Sequence, residues 1–523
     1  MLTITGLPSK LMSSNRIKLM LLATPVLIGS GLCLYYYYYY NNGGKSKRKK
    51  KDETKEVVRD PMKIRLIEAV ELKNKGNQLF RTKNYEEALK MYTEAIQLCP
   101  PDKRKEMSTF YQNRAACHEH MKQFQQVIHD STKAIEYDRY YVKAYLRRGK
   151  AYEIMVNYED ACYDYYVASN LSQFQNSDYM NLLSECMEKY AYKRAEQVMA
   201  KRSVYTFQKY LFKHILNKFT RDPLKQLGKK IMGNDYDSII SQLLTSDDDL
   251  NEDDSLLKGT IELYIGKHDD GRKRLMRLID TSDHVDYKVN ALLKLAEHSL
   301  QNNQLEKTEH YLTDAAALDN DNPDLYYVRS QLHIVQRKYE ESTQDLKRAI
   351  ELDPSFVVAI GQRLYIKYQQ CIMTNNFIGK EQIIQEFKSQ IQRFSTCNEL
   401  LLLYFQILLS ENKTSDASTI VQQALDNESD DPTLYVYRSL ICIEENSFDK
   451  AKENLDQALE LDSRCSFAYE MLSDLFTKLE NFPQAIDYLE RAINSSTTFE
   501  DVKNLIVKQK ALTMQLQFQS IQG

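Results

Sequence analysis

The side chains of this chain that could do chemistry together are two lysines, one arginine and two asparagines: Lys73, Asn77, Asn113, Lys143 and Arg147. They have no shared use as acids, bases or nucleophiles. Ammonium, guanidinium and amide groups all donate hydrogen bonds, and donors of this kind suit two carboxylates held at once. The set therefore predicts a binding site for an acidic peptide tail and not an active site.

Spacings of four residues place these donors on common helix faces. Lys73 and Asn77 are four residues apart, as are Lys143 and Arg147, so each pair shares a face of its helix. Asn113 lies on a helix between them, and we expect all five to point into one groove with no acid among them. A lone lysine is ordinarily only solvated helix surface. The five together predict that a short acidic peptide binds at about −8 kcal/mol, in the micromolar range.

The helices that must carry these residues repeat with a fixed period. Variants of one short motif, such as Ala-Ile-Glu-Leu-Asp-Pro at 349–354, recur along the chain. The first alanines of these motifs are separated by a constant interval, except for a longer one between Ala95 and Ala134. The alanines at the constant interval are Ala134 and Ala168, Ala315 and Ala349, and Ala424, Ala458 and Ala492. This period, about 34 residues, is that of the tetratricopeptide repeat, which has two antiparallel helices. The chain resembles this family over roughly residues 65–175 and 285–515.

Small and aromatic residues recur in phase with this period. In the repeat that starts at Ala69, Gly76 and Ala88 are small enough to let two helices approach closely, and Tyr92 fills the space around that contact. Only 15 glycines and 10 prolines occur in 523 residues, too few for a sheet protein with many tight turns. The predicted fold class is therefore all-α, a tetratricopeptide-repeat superhelix (an α-solenoid), with a single transmembrane helix at its N-terminus.

The chain divides into six predicted segments. They are a short N-terminal arm at 1–16, a transmembrane anchor at 17–40, a basic cytosolic linker at 41–61, a three-repeat domain at 62–175 that carries the five donors, a helical connector at 176–256, and a C-terminal repeat array at 257–515. The repeats of the array are expected to begin near Val289, Pro323, Asn398, Pro432 and Ser466, with an irregular one from about Val357 to Phe394. Two further expectations are a longer connection at Met373–Glu381 and an acidic loop within Leu243–Leu257.

The predicted anchor combines an apolar stretch with a run of tyrosines. Leu19–Leu34 spans roughly 24 Å as a helix, and the six tyrosines Tyr35–Tyr40 extend it to about 33 Å and suit the headgroup level. Six basic residues follow the span and three precede it, which predicts that the bulk of the chain lies in the cytosol. A cleaved signal peptide is the alternative, but no small-x-small cleavage site precedes the tyrosines.

Other chemistries have little support in the sequence. The nine cysteines are odd in number and form no Cys-x-x-Cys motif, which argues against a disulfide framework or a zinc site. The chain has no recognisable catalytic motif, so we expect no catalytic residue, no metal and no cofactor. A net charge of −3 argues against general nucleic-acid binding.

The strings around the five donors resemble those of chaperone-binding tetratricopeptide domains: Leu-Lys-Asn-Lys-Gly-Asn at 72–77, Tyr-Gln-Asn-Arg at 111–114 and Lys-Ala-Tyr-Leu-Arg at 143–147. That resemblance implies a ligand, the C-terminal Glu-Glu-Val-Asp of the seventy- and ninety-kilodalton heat-shock chaperones. It also implies that Arg147, with its planar fork, matters most because it can bind a carboxylate through two hydrogen bonds.

An anchor, a basic linker, a three-repeat domain and a further array together resemble the seventy-kilodalton import receptors of the mitochondrial outer-membrane translocase. The resemblance implies a receptor that accepts hydrophobic precursor proteins from chaperones and contacts other translocase subunits. Two alternatives stay open: a tail-binding co-chaperone anchored on the endoplasmic reticulum, and an enzyme regulated by repeats, for which no segment of sufficient size is left. No precursor-binding residue is assigned, because the apolar positions of the array also form its core.

Overall fold

The computed structural model describes residues 61–201, 250–496 and 498–522, together with 215, 218–225, 227, 231 and 236–245. The predicted arm at 1–16, the predicted anchor at 17–40 and all but the last residue of the predicted linker lie outside these residues. None of the helices that the structure describes has both the length and the apolar composition that a bilayer crossing requires.

Every regular element in the described residues is a helix, so the all-α prediction is confirmed. The chain forms two compact units. The first unit contains, of the described residues, 61–196 and 506–522, and the second contains those from 197 to 505. The first unit thus extends beyond the predicted three-repeat domain at 62–175.

The first unit begins with three antiparallel helix pairs. They are α1 (Pro61–Arg81) with α2 (Tyr85–Leu98), α3 (Arg104–His120) with α4 (Phe124–Tyr137), and α5 (Val142–Ile154) with α6 (Tyr158–Leu171). The long α7 (Ser177–Ala200) follows. Met514 and Phe518 from the last helix of the chain pack with Tyr166 and Leu183 in the same core.

Glycine sets the distance between the two helices of a pair. A Cβ atom on Gly76 would lie 2.8 Å from Cε1 of Tyr92, and one on Gly149 would lie 2.9 Å from Cε1 of Tyr165. Both tyrosines are buried. A larger residue would push the ring away, because packed cores tolerate added volume poorly. The predicted close approach at Gly76 is confirmed.

An arginine–aspartate pair also joins the two helices of several repeats. Arg114 donates to Asp130 through Nε at 2.8 Å and Nη2 at 2.7 Å, and Arg148 donates in the same way to Asp164 at 2.9 Å and 2.7 Å. In the second unit, Arg329 binds both oxygens of Asp345. All three pairs are 16 residues apart. Two parallel hydrogen bonds fix the geometry of a charge pair better than one.

The second unit consists mainly of helix pairs. After α8 (Tyr236–Thr245), the pairs are α9 (Glu252–Tyr264) with α10 (His268–Thr281), α11 (Val285–Gln301) with α12 (Leu305–Leu318), α13 (Pro323–Val335) with α14 (Tyr339–Leu352), α15 (Val357–Met373) with α16 (Phe377–Arg393), α17 (Asn398–Ser410) with α18 (Thr414–Asn427), α19 (Pro432–Glu444) with α20 (Phe448–Leu461), and α21 (Ser466–Lys478) with α22 (Phe482–Ser495). The last helix is α23 (Phe499–Gln522). The predicted repeat starts coincide with helix starts, except that the one near Val289 lies four residues inside α11.

The expected longer connection at Met373–Glu381 is wrong. Helix α15 ends at Met373 and α16 begins at Phe377, so only three residues join them. The additional residues of this repeat lengthen its helices instead, to 17 residues each. An irregular repeat can therefore keep a short turn and change the length of its helices.

The expected acidic loop is wrong for its C-terminal residues, which lie in a helix. Asp253 and Asp254 are in the first turn of α9, and the side chain of Asn251 caps that helix by accepting from the backbone N–H of Asp254 at 2.8 Å. Carboxylates at a helix N-terminus interact favourably with its dipole. Residues 246–249 lie outside the described part of the chain.

The pair α9 and α10 is a repeat that the sequence analysis did not identify, because it lacks the alanines that mark most of the other repeats. Its signal is two small residues, Gly259 and Gly271, at the same spacing as Gly76 and Ala88. A Cβ atom on Gly271 would lie 2.7 Å from the carbonyl oxygen of Gly259. The close approach of two helices is thus kept where the alanine motif is lost.

The connector contributes a buried segment to the second unit. Asp222 and Lys294 form an ion pair at 2.8 Å with almost no exposed side-chain surface. The backbone N–H groups of Thr220 and Arg221 donate to the carboxylate of Asp324 at 2.7 and 2.8 Å. Paired charges of this kind satisfy groups that would otherwise be expensive to bury.

A part-buried histidine should make the second unit sensitive to acid. His298 lies 2.9 Å from His268, measured between their ring nitrogens. Burial, and then the charge of His268, lower the pKa of His298 from 6.5 to about 3. Between these values the unfolded chain binds more protons than the folded chain. The free energy of unfolding should therefore fall as the pH drops below 6.5, by up to about 1.4 kcal/mol per pH unit.

Urea denaturation between about pH 7 and pH 5 tests this expectation. His298→Gln should flatten the dependence of the unfolding free energy on pH, whereas His310→Gln, at an exposed position, should leave it unchanged. Equal slopes for wild type and His298→Gln would mean that His298 does not carry the effect.

Candidate functional site

The five predicted donors lie on the first helices of three successive pairs in the first unit. Lys73 and Asn77 are on α1, Asn113 is on α3, and Lys143 and Arg147 are on α5. Nδ2 of Asn113 donates to Oδ1 of Asn77 at 3.2 Å. The structure thus brings together two asparagines that are 36 residues apart in sequence.

Tyr92 fixes the orientation of the Asn77 amide. Its hydroxyl donates to Oδ1 of Asn77 at 2.7 Å, so that oxygen accepts from both Tyr92 and Asn113. Burial, and then the nearby Cys117, raise the pKa of Tyr92, which keeps the hydroxyl protonated as a donor. The Nδ2 group of Asn77 is left to donate to a ligand. The sequence had indicated only a packing role for Tyr92.

Helices α3 and α5 are joined by hydrogen bonds beside Asn113. Nη1 of Arg147 donates to the carbonyl oxygen of Gln112 at 3.0 Å, and Nε2 of Gln112 donates to the carbonyl oxygen of Lys143 at 3.0 Å. Gln112 is buried and directly precedes Asn113. These bonds hold the backbone that carries Lys143 and the guanidinium of Arg147 against α3.

The expectation that no acid lies among the donors is wrong. Nε of Arg147 donates to Oε2 of Glu119 at 2.8 Å, and Nζ of Lys150 lies 3.3 Å from Oε1 of the same carboxylate. Burial would raise the pKa of Glu119, but the hydrogen bonds and charges of Arg147 and Lys150 outweigh it and lower the pKa below its ordinary value. Glu119 is therefore an anion at neutral pH. Spacing along one helix gives no sign of a partner 28 residues away.

Several donors remain available. Within the described part of the chain, the ammonium groups of Lys73 and Lys143 make no hydrogen bond or ion pair. The same holds for Nη2 of Arg147, whose other two nitrogens are bonded to Glu119 and Gln112. The arrangement offers two unpaired ammonium groups, one guanidinium nitrogen and one amide group to an anionic ligand.

Neither metal binding nor disulfide formation is evident in the described residues. They contain no group of three or more histidine, cysteine, aspartate or glutamate side chains that could hold a metal ion. The eight cysteines among them are free thiols. The sulfur atoms of Cys162 and Cys186 lie 3.3 Å apart in the core, a proximity that the sequence spacing does not predict. Their mutual contact, together with burial, raises the pKa of Cys162.

Comparison with protein families agrees with the helix pairs. Models of the tetratricopeptide repeat match residues 69–102, 323–356 and 443–498. These residues fall in both units, and each match begins in the first helix of a pair. The protein is thus a tetratricopeptide-repeat protein whose first three repeats carry the five predicted donors on their first helices.

Comparison with known proteins identifies the family. The chain is 30% identical over 467 residues to mitochondrial import receptor subunit TOM70 of Rattus norvegicus, a match that covers 83% of this chain and 77% of the rat protein. It is 33% identical over 120 residues to the Hsp70-Hsp90 organizing protein of Triticum aestivum, covering 23% of this chain and 20% of that protein. A crystal structure of yeast Tom70 matches at 22% identity with a TM-score of 0.41, covering 86% and 96% of the two chains. The chain belongs to the family of mitochondrial import receptor subunit TOM70.

Tyr92→Phe should lower the stability of the protein, because it removes the hydroxyl that holds the Asn77 amide. Since one hydrogen bond to a part-buried amide is lost, the free energy of unfolding should fall by about 1 kcal/mol. Tyr85→Phe is a matched control on the same helix, because the Tyr85 hydroxyl makes no hydrogen bond in the described structure. Urea denaturation of both variants provides the measurement, and equal losses would show that the Tyr92 hydroxyl does not support Asn77.

Proposed function

We propose that this chain is an import receptor of the mitochondrial outer membrane that binds the acidic C-terminal tails of heat-shock chaperones. In this proposal it accepts hydrophobic precursor proteins from them and passes these to the translocase pore. The observation that supports the proposal is the set of donors on α1, α3 and α5, in which the ammonium groups of Lys73 and Lys143 and Nη2 of Arg147 have no partner in the described residues. Membership of the import receptor family supports the second part.

The chemistry of the donors favours a ligand with two carboxylates. Asn77 offers its neutral Nδ2 group, and Asn113 offers the second N–H of a group that already donates to Asn77. Lys73, Lys143 and Arg147 offer three positive charges on two helices. A terminal carboxylate and a neighbouring side-chain carboxylate would each find a cation and a hydrogen-bond donor. A charge-assisted hydrogen bond contributes about 1.5–3 kcal/mol, and a few of them suffice for micromolar binding after desolvation costs.

The resemblance to chaperone-binding domains implies that Arg147 binds a ligand carboxylate through two hydrogen bonds. In this structure two of its three nitrogens already have partners. Glu119 already accepts from Nε, and the carbonyl of Gln112 accepts from Nη1. Nη2 is the nitrogen that a ligand would meet first. We therefore propose that Arg147 binds the tail through Nη2 and that Lys143, one turn earlier and exposed, supplies the second charge.

The proposed ligand is the Glu-Glu-Val-Asp tail of the seventy- and ninety-kilodalton heat-shock chaperones. It ends in a carboxylate next to a second carboxylate on the aspartate side chain, which matches two cationic positions on separate helix pairs. The name of the wheat relative, Hsp70-Hsp90 organizing protein, is consistent with such partners. The proposed function makes the chain a receptor and not an enzyme, and we propose no precursor-binding residue.

Arg147→Ala should weaken binding of a Glu-Glu-Val-Asp peptide by tenfold or more. The variant removes a charged donor that contributes about 1.5–3 kcal/mol. Isothermal titration calorimetry measures the affinity, and circular dichroism confirms that the variant stays helical. Lys90→Ala is the matched control, because it removes one positive charge from the exposed side of α2. An unchanged affinity in Arg147→Ala would remove Arg147 from the site.

The intact chain should locate to the surface of mitochondria, with its repeats accessible from the cytosol. This follows from the predicted anchor at 17–40 and the basic residues after it. A C-terminal tag should therefore stain mitochondria and be removed by mild external protease. Reticular staining would favour the alternative, a co-chaperone anchored on the endoplasmic reticulum. A protected tag would contradict the proposed orientation.

A further inference from the structure

Glu119 occupies one side of the arginine that an acidic tail must use. Its carboxylate accepts from Nε of Arg147 at 2.8 Å and lies 3.3 Å from Nζ of Lys150. The side chains of Glu119 and Arg147 are 25% and 24% exposed, so water screens this pair only in part. In the free protein, Arg147 therefore already has a carboxylate partner.

A glutamate at this position also has a purely structural role in the next repeat. Glu153 lies one full period after Glu119, at the same place in its repeat. It accepts from Nζ of Lys189 at 2.7 Å and from the hydroxyl of Tyr165 at 2.9 Å, and its side chain is 22% exposed. Both glutamates thus connect one repeat to the helix that follows. They differ in one respect, since Arg147 is a predicted ligand-binding residue and Lys189 is not.

This difference has an electrostatic consequence. A tail carboxylate bound to Nη2 of Arg147 would share the guanidinium with the Glu119 carboxylate. Like charges so close repel each other, and the repulsion acts on every negative charge of the ligand. Lys150 offsets only part of it, because its side chain is 63% exposed and its charge is well solvated. The lowered pKa of Glu119 means that its charge persists at neutral pH.

We propose that Glu119 is an affinity-determining residue, an internal carboxylate that competes with the ligand for Arg147 and keeps tail binding weak and reversible. The inference rests on the proposed function. A receptor that passes its partner on gains from rapid release, and affinity differences within one interface lie mostly in the dissociation rate.

Glu119→Gln isolates the charge from the geometry. The glutamine side chain has the same shape, and its amide oxygen can still accept from Nε of Arg147. The full-length chain in detergent micelles is titrated with a Glu-Glu-Val-Asp peptide at low and at high salt. Wild type and Glu119→Gln are compared with Glu153→Gln, which removes a similarly exposed glutamate one repeat further along.

We expect Glu119→Gln to bind the peptide about three- to tenfold more tightly than wild type at low salt, with slower dissociation, because one repulsive charge is removed. The gain should shrink at high salt, where the repulsion is screened. Glu153→Gln should bind like wild type. A residue that only connects two repeats would produce a less stable variant with no gain in affinity.

Three outcomes would overturn the inference. If wild type binds and Glu119→Gln binds equally or more weakly, the role of Glu119 is wrong while the proposed function stands. If Glu153→Gln gains as much peptide affinity as Glu119→Gln, the gain comes from the overall negative charge of the protein and not from competition at Arg147. If wild type does not bind the peptide at all, the proposed function and the inference both fail.

Discussion

The contact between Tyr92 and Gly76 is the constraint on which the site depends. The missing side chain at Gly76 lets the Tyr92 ring pack against α1, 2.8 Å from where a Cβ atom would stand. That packing brings the Tyr92 hydroxyl to Oδ1 of Asn77, which in turn accepts from Asn113. One small residue in the core thus sets the orientation of two part-buried amides. The packing of the repeat and the geometry of the proposed site therefore depend on the same tyrosine.

The proposed site combines cations that have no partner in the described part of the chain with one cation that already has an acidic partner. Lys73 and Lys143 have no partner in the described structure, whereas Arg147 is held by Glu119 and the Gln112 carbonyl. A fully unpaired arginine would be a stronger but less well positioned donor. Glu119 positions the guanidinium, and in our proposal it also opposes the acidic ligand. Arg114 and Arg148, bound through two nitrogens to buried aspartates, show the purely structural use of the same residue type one position away from Asn113 and Arg147.

The second unit shows how the chain between recognisable repeats is used. Residues 220–222 lie against α11 and α13, with backbone donors on Asp324 and a buried ion pair between Asp222 and Lys294. Because these polar groups are satisfied by the repeats, residues 220–222 are part of the packed second unit. The pair α9 and α10 adds a repeat whose close approach rests on Gly259 and Gly271.

The sequence by itself determined the helix pairs, their period and the placement of the five donors on α1, α3 and α5, because helix periodicity and small-residue contacts are local and recur in every repeat. It did not reveal the repeat at α9 and α10, where the alanine motif is absent, nor the short turn after Met373. The tertiary structure alone decided which groups meet across helices: Glu119 with Arg147, Tyr92 with Asn77, and Cys162 with Cys186. Such pairings depend on how side chains from different helices face each other, and spacing along one chain does not encode that.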